Sequence, residues 1–239
     1  MNTELKRQPI HAGMATMPSR MHTARFAIRS LLRQVDRLHL YLDGFEEIPK
    51  FVLHEKISVI RSQDQPGLHA NGKLIALASL PQEAFFLTVD DDIYYPRNFV
   101  RRLQNALLTN PDLVVVGIHG SNLNEPFRSY MQDRKVFTSW KPLQQIQGVD
   151  VIATCGTIHH VSRLQFDVKS WQVVNQVDLH FAQELRAVNG RAAVVRKPWF
   201  WTLPLGMNQS DSIFRKLQTN DASQTQLAQR IFGLKSFNT

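Results

Sequence analysis

The chain has 239 residues, with 28 Lys plus Arg against 20 Asp plus Glu, a formal net charge of +8, and one cysteine. That length makes one large domain, or one domain with a small appendage, and hydrophobic residues at 43% suffice for a core, which excludes disorder as a description of the whole. The lone cysteine excludes a disulfide scaffold and a cysteine-based zinc site, while the charge leaves nucleic acid, anionic lipid and phosphorylated small molecules open as partners.

The run from Met1 to Gln8 has no apolar segment behind its charges and does not read as a secretory signal. No window approaches the roughly 20 apolar residues of a membrane-spanning helix, so a soluble cytoplasmic chain is expected. Through the first two-thirds, short apolar runs alternate with helical patterns, the signature of strand-helix-strand units around a largely parallel sheet. Ile10 to Met14 reads as a strand, and Ser19 to Arg33 has helical spacing that turns Phe26, Ile28, Leu31 and Leu32 toward a core. Leu38 to Leu42 is a second strand, stopped by the turn dipeptide Asp43-Gly44, and Ile57 to Ile60 a third. Asn71 to Leu80 reads as a helix, with Leu74, Ile75, Leu77 and Ala78 apolar. Phe85 to Val89 is the most strand-like run, and it ends in three consecutive carboxylates, Asp90, Asp91 and Asp92. A helix beginning near Pro96 carries Phe99, Leu103, Ala106 and Leu107 on one face and ends before Pro111. Leu113 to Ile118 is another buried strand.

The second half is less regular. Residues 119–148 read as a long loop region with extended structure near Val136 to Thr138. Val149 to Thr154 is a strand. Asp178 opens a helix that runs to about Val188 and stops at Asn189-Gly190, and Ala192 to Val195 is the strand that follows. From Asp211 onward the chain is polar and helix-prone, with Leu227, Ile231, Phe232 and Leu234 apolar. No linker divides it, so residues 1–239 are expected to form a single domain.

Open parallel sheets bind ligands beyond the carboxyl ends of their strands. Three carboxylates placed there repel one another, and a hard divalent ion with oxygen ligands, Mg²⁺ or Mn²⁺, relieves the repulsion and brings phosphate oxygens as further ligands. In continued extended geometry Asp90 and Asp92 point the same way and form the natural metal pair. The plainer reading is an acidic loop that caps the helix near Pro96.

The strand ending in Asp90-Asp91-Asp92, with Ile93-Tyr94-Tyr95-Pro96 behind it, resembles the DxD element of GT-A fold glycosyltransferases. His11 to Arg20, with its Thr16-Met17-Pro18-Ser19-Arg20, is similar to the first strand and nucleotide-contacting loop of these enzymes. Asp43 stands at the end of the second strand, where an acidic residue is common in them. Gly67-Leu68-His69-Ala70-Asn71-Gly72-Lys73 resembles the loop from which a Lys or Arg reaches the nucleotide, and Gln176 to Ala182 the helix start from which inverting enzymes draw their base. These elements occur in the family's order over residues 10 to about 200. Two departures stand out: no histidine follows His180 to complete the metal site, leaving Asn208, Asp211 or water for that place, and Val177 rather than an acid precedes Asp178.

The resemblance implies an α/β, Rossmann-like three-layer sandwich with a central, mostly parallel sheet. Its nucleotide-binding half would span about 8–118, its acceptor and catalytic half about 119–205, and a tail about 206–239. It implies transfer from a nucleotide-sugar donor, a UDP-sugar by family habit, to a glycan or lipid-linked acceptor, with inversion, in bacterial surface polysaccharide synthesis. Asp90 and Asp92 would hold Mn²⁺ or Mg²⁺; Thr16, Pro18, Arg20, Asp43, Lys73, Asp90 and Asp91 would contact the donor; Asp178 would be the base, though its position suits a helix N-cap equally.

Other residues carry weaker signals. His159 and His160 would line an acceptor site, although neighbours on a strand face opposite ways and one is then structural. His180 has Gln183 and Glu184 as helical neighbours, and Glu184 would pair with it. Trp199-Phe200-Trp201 would stack a sugar ring or, more simply, pack core and lid. Arg25, Arg29, Arg33 and Arg37 recur at helical spacing; the stripe reads first as a solvated face and second as a docking face for anionic headgroups at the inner side of the membrane. No nucleic-acid motif accompanies the charge, so nucleic acid is not expected as a partner. The alternatives are a sugar nucleotidyltransferase, whose Gly-rich loop is absent after Gly13, and a non-catalytic carbohydrate-binding or scaffold protein of the same fold.

Overall fold

The computed structural model describes residues 8–171, 173–206 and 220–234. In chain order the elements are β1 (Ile10–Thr16), α1 (Met21–Leu31), β2 (Arg37–Leu42), β3 (Ile57–Arg61), β4 (Phe85–Val89), β5 (Ile93–Tyr94), α2 (Phe99–Leu108), β6 (Val115–Gly117), β7 (Gly120–Leu123), β8 (Arg134–Phe137), β9 (Gln147–Val149), β10 (Val151–Ile152), β11 (Gly156–His160), α3 (Val177–Ala187), β12 (Ala192–Val194), β13 (Leu203–Pro204) and α4 (Ala222–Phe232). Eight strands form the main sheet in the order β3-β2-β1-β4-β11-β6-β12-β9. β1, β2, β3 and β4 run parallel, as do β6 and β12; β11 is antiparallel to both its neighbours, and β9 to β12.

Alternation along the strands builds a layer on each side. Phe85, Leu87 and Val89 of β4 join one core cluster with Ala24, Ala27, Ile28 and Leu31 of α1 and Phe99, Val100, Leu103 and Leu107 of α2. Phe86, between them, joins the opposite cluster with Leu74, Leu77 and the α3 residues Val177, Phe181 and Leu185. The expected three-layer α/β arrangement is therefore present.

Local differences have physical causes. Phe26, expected inside, is 63% exposed, because α1 meets the sheet through its alanines and Ile28. The helix expected over Asn71 to Leu80 is replaced by two short 3-10 turns, His69–Leu74, which lies on β1 and β2, and Leu77–Ser79. The helix expected near Pro96 starts at Phe99, and the 119–148 loop region contains β7 and β8. The strand expected over Val149 to Thr154 is two short strands belonging to different sheets. Arg33 follows the end of α1 and Arg37 begins β2, so only Arg25 and Arg29 of the arginine stripe are helical; all four are exposed. Leu227 of α4 is buried, and Ile231, Phe232 and Leu234 pack beside it in a cluster with Leu179 and Ala182 of α3. No helix among the described residues is long and apolar enough to cross a membrane.

Candidate active site

Strand β4 ends at Val89, and Asp91 and Asp92 lie in a turn, so the extended geometry expected there stops. The three carboxylates are divided between two protein cations. Asp90 is ion-paired with Lys73. Arg20 places Nη1 3.2 Å from Asp92 Oδ2 and 3.7 Å from Asp91 Oδ1. Asp91 is the most buried of the three; burial pushes its carboxyl up to about 7 against the pull of the Thr16 hydroxyl and Arg20. Asp92 is raised as well, by burial and by the charge of Asp90, with Arg20 opposing. The Tyr95 hydroxyl fixes the corner: it accepts from the Asp90 N–H at 2.8 Å and donates to the Cys155 carbonyl at 2.7 Å, tying the end of β4 to the start of β11.

Lys73 reaches Asp90 because the 3-10 turn that carries it hugs the sheet. A Cβ on Gly13 of β1 would lie 1.9 Å from the Lys73 carbonyl oxygen, and one on Gly72 would lie 2.2 Å from the Tyr41 ring. Only glycine permits that approach at either position. Lys73 is 7% exposed. Burial works against its charge, but Asp90, with Asp178 behind it, outweighs that and raises it above the ordinary lysine value.

Asp178 joins the same network from the far side. It is the second residue of α3, after the N-cap Gln176, and its side chain does not cap the helix. Its Oδ1 accepts from both the backbone N–H and the hydroxyl of Thr154, each at 2.8 Å. Thr154 Oγ1 in turn lies 3.4 Å from Lys73 Nζ. A continuous polar chain, Asp90–Lys73–Thr154–Asp178, thus crosses the carboxyl end of β4. Asp178 Oδ2 has no hydrogen-bond donor among the described residues.

On the other flank, Asp43 follows β2 and gives its N–H to the Thr16 carbonyl at 2.8 Å, while its carboxylate meets His69 Nδ1 at 2.9 Å. Pro18 opens the exposed 3-10 turn that leads to Arg20. Thr16, Pro18, Arg20, Asp43, Lys73, Asp90, Asp91, Asp92 and Asp178 therefore all gather at the strand ends. Asn208 and Asp211 lie outside the described residues.

The weaker expectations divide, and the structural readings of the histidines and of Trp201 are the ones that hold. His159 and His160 pair with Phe86 and Phe85, at the opposite end of β4 from Asp90. His159 is fully buried between the Phe86 and Phe181 rings, and His160 meets Ser162. His180 stacks on Trp171, and Glu184 accepts from Trp171 Nε1 rather than pairing with the histidine. Trp201 is core, beside Phe99, while Trp199 and Phe200 are exposed and adjoin Trp140.

Residues that sequence reasoning missed complete the site. Thr154 and His119 come from a turn and a loop whose patterns carry no signal of a ligand, and Tyr95, quoted in the sequence only within the run behind the carboxylates, supplies the hydroxyl at their corner. Burial lowers the His119 imidazole below the ordinary histidine value, with the charge of Asp178 opposing and those of Arg134 and Lys197 adding to it.

No family model and no curated protein matches the sequence. Solved structures match the fold over nearly the whole chain. Glucosyl-3-phosphoglycerate synthase from Mycobacterium tuberculosis, in complex with Mg²⁺ and UDP, is 11% identical, with a TM-score of 0.59 over 96% of this chain and 81% of its own. A mannosyltransferase from Pyrobaculum calidifontis, in complex with GDP-Man and Mn²⁺, is 13% identical, with a TM-score of 0.56 over 97% of this chain and 67% of its own. The fold is the GT-A fold of nucleotide-sugar glycosyltransferases. At these identities the likeness is one of architecture, and roles at the site rest on its own geometry.

Proposed function

We propose that this GT-A chain is a metal-dependent glycosyltransferase that moves a sugar from a nucleoside-diphosphate donor to a hydroxyl of a glycan or glycolipid, with inversion at the anomeric carbon. The observation that supports it best is the chain Asp90–Lys73–Thr154–Asp178, which joins a carboxylate cluster to an oriented carboxylate across the carboxyl end of β4. Asp178 Oδ2 takes the proton of the acceptor hydroxyl, while Thr154 holds Oδ1 and so sets the direction of attack. Arg20 and Lys73 meet diphosphate oxygens, the one with a planar fork and the other as a point charge. Thr16, Pro18, Asp43 and Asp91 shape the nucleotide side.

The carboxylates fit a hard divalent ion. Asp92 is raised by burial and by Asp90, a condition that a cation relieves, and the donor atoms are all oxygens. Asp90 and Asp92 would hold Mn²⁺ or Mg²⁺. Among the described residues no group of three or more His, Cys, Asp and Glu side chains is set to hold a metal, so phosphate oxygens would complete the shell. Such an ion supplies Lewis-acid neutralisation of the departing diphosphate.

A UDP-sugar donor, a role in bacterial surface polysaccharide synthesis and a peripheral membrane position complete the proposal. The last is supported by the exposed Arg25 and Arg29 on α1. The test is a melting-curve panel of nucleoside diphosphates and nucleotide-sugars with and without Mn²⁺. A ligand at 100 times its dissociation constant adds about 2.7 kcal/mol to the native state. No metal-dependent response to any diphosphate nucleotide overturns this reading and favours a non-catalytic role, in which Arg20 and Lys73 alone neutralise the carboxylates.

A further inference from the structure

Three aromatic rings meet at the surface in the segments that follow β8 and β12. Trp199 and Phe200 are 57% and 58% exposed, and the half-buried Trp140 joins them. Trp140 lies 6.2 Å from each of the other two, centre to centre, and within 21° of parallel to Phe200; Trp199 and Phe200 are 5.9 Å apart. Large apolar rings normally turn inward, as the neighbouring Trp201 does, packing on Phe99 at 5.4 Å with its Nε1 donating to Asn98 Oδ1 at 3.2 Å.

The backbone holds the rings out. The Lys197 N–H donates to the Leu143 carbonyl at 3.0 Å, and its own carbonyl accepts from Leu143 at 2.8 Å. The Phe200 N–H donates to the Trp140 carbonyl at 2.9 Å, and the buried Thr202 hydroxyl to the Ser139 carbonyl at 3.2 Å. Segments 139–143 and 197–202 are thereby fastened together. Phe200 has a φ of 49°, in the left-handed region that a bulky side chain rarely adopts. Such strain persists only where the surroundings enforce it, and it gathers at ligand clamps.

Topology puts these rings at the carboxylate end of the sheet. β12 is parallel to β6, and β6 and β4 are both antiparallel to β11, so β12 ends on the same side as β4. The chain leaves β12 at Val194, carries the rings, and passes Leu203, which pairs with Tyr94 of β5. It then reaches Leu205, whose N–H donates to the Asp92 carbonyl at 2.7 Å. The rings and Asp92 therefore belong to one loop cluster. Lys141 stands at the rim, its Nζ 5.3 Å from the centre of the Trp140 ring.

We propose that Trp140, Trp199 and Phe200 are a stacking platform for a pyranose ring of the acceptor. A pyranose presents C–H groups on its faces and hydroxyls around its edge; the faces pack on aromatic rings while the edge stays in water or meets a donor such as Lys141. Rings already fixed by backbone bonds lose little side-chain freedom when such a ligand binds. The platform narrows the acceptor to compounds that already carry a sugar ring. Its role as an acceptor subsite rests on the glycosyltransferase reading, but its binding of sugar does not.

The test titrates maltotetraose, cellotetraose, chitotetraose and mannotetraose into the wild type, Trp199→Ala and Phe200→Asn, followed by saturation-transfer NMR of the sugar C–H protons. A nucleoside diphosphate with Mn²⁺ is titrated into the wild type in parallel. Loss of one ring should weaken a bound tetrasaccharide about fivefold or more. Both variants should melt within a few degrees of the wild type, since the rings removed are exposed and asparagine accepts the left-handed conformation. Equal affinities in all three proteins, or no tetrasaccharide bound, overturn the platform. So does a loss of binding that comes with a large drop in melting temperature in both variants, the mark of structural rings. Where no tetrasaccharide binds, vesicles of phosphatidylcholine and phosphatidylglycerol that hold the wild type but not Trp199→Ala assign the rings to a lipid surface instead. If a tetrasaccharide binds through the rings while no nucleotide binds, the platform stands and the glycosyltransferase reading falls. If the nucleotide binds with Mn²⁺ and no tetrasaccharide does, the reverse holds.

Discussion

Thr154 gives its backbone N–H and its hydroxyl to one oxygen of Asp178, both at 2.8 Å. The two residues are 24 apart in sequence and come from different elements, the turn before β11 and the first turn of α3. A carboxylate clamped on one oxygen is oriented, and its second oxygen remains available for a proton. The clamp is itself tethered, since α4 fixes the start of α3 through the bond from Gln176 Nε2 to Ser223 Oγ at 2.6 Å.

Asp178→Asn keeps the shape and removes the proposed base. General-base catalysis contributes typically about 10²- to 10⁴-fold, so turnover should fall within that range. Binding of the nucleotide with Mn²⁺ should persist, because the proposed donor contacts at Arg20, Lys73 and Asp90 to Asp92 are unchanged. Single-turnover transfer assays separate the two. Near-normal turnover removes Asp178 as the base and returns it to a structural role.

Thr154→Val isolates the clamp. The variant keeps the backbone donor and loses the hydroxyl, and with it the contact to Lys73. A lost hydrogen bond of this kind costs about 1 kcal/mol of stability, and the loosened base should lower kcat while leaving the donor KM near its wild-type value. A change in donor KM with an unaltered kcat would place Thr154 in donor binding instead.

Much of the frame was readable from residues alone, for reasons that also explain the gaps. The run Phe85 to Val89 is apolar but for Thr88 because β4 is buried on both faces, and it announces the central strand. Asp90 to Asp92 stand out because three adjacent charges after such a strand need an explanation. Lys197 does not stand out: within Arg196-Lys197-Pro198 it looks like a surface basic residue, and only the bridge to Leu143 turns it inward. His119 and Thr154 are invisible for the same reason, since tertiary contacts rather than periodicity bring them to the strand end. The helix expected over Asn71 to Leu80 shows the reverse failure. Its apolar spacing is real, but the close contact of Gly72 with the Tyr41 ring presses the segment flat into 3-10 turns.

That flattening is itself testable. Gly13→Ala puts a methyl group where the Lys73 carbonyl stands, 1.9 Å from its oxygen, and 2.8 Å from the Phe86 ring. Backbone cannot yield as a side chain does, so the turn must move. Overpacking of this kind costs about 1–3 kcal/mol, readable as a lower denaturant midpoint. Because the displaced turn carries Lys73, donor affinity should drop with it. An unchanged midpoint with wild-type binding would show that the turn does not depend on this contact.

His159 makes the fold sensitive to acid. It is fully buried beside Phe86 and Phe181, and burial draws it down to about 3. In the unfolded chain a histidine titrates near 6.5. Between those values the unfolded state holds a proton that the folded state lacks, so the stability that neutral His159 contributes is fully present above about 6.5 and is lost as pH falls toward 3. One such group gives a slope of up to about 1.4 kcal/mol per pH unit in that window. His39 of β2, drawn down to about 4 by burial and by its neighbour His11, adds to the same slope. His159→Leu fills the apolar site without a titrating group, so its stability should fall less steeply with acid, by about one proton, and should show the wild-type pH dependence above 7. Urea denaturation at intervals from pH 4 to 8 measures the two curves. Parallel curves throughout would mean that His159 is not the acid-sensitive group.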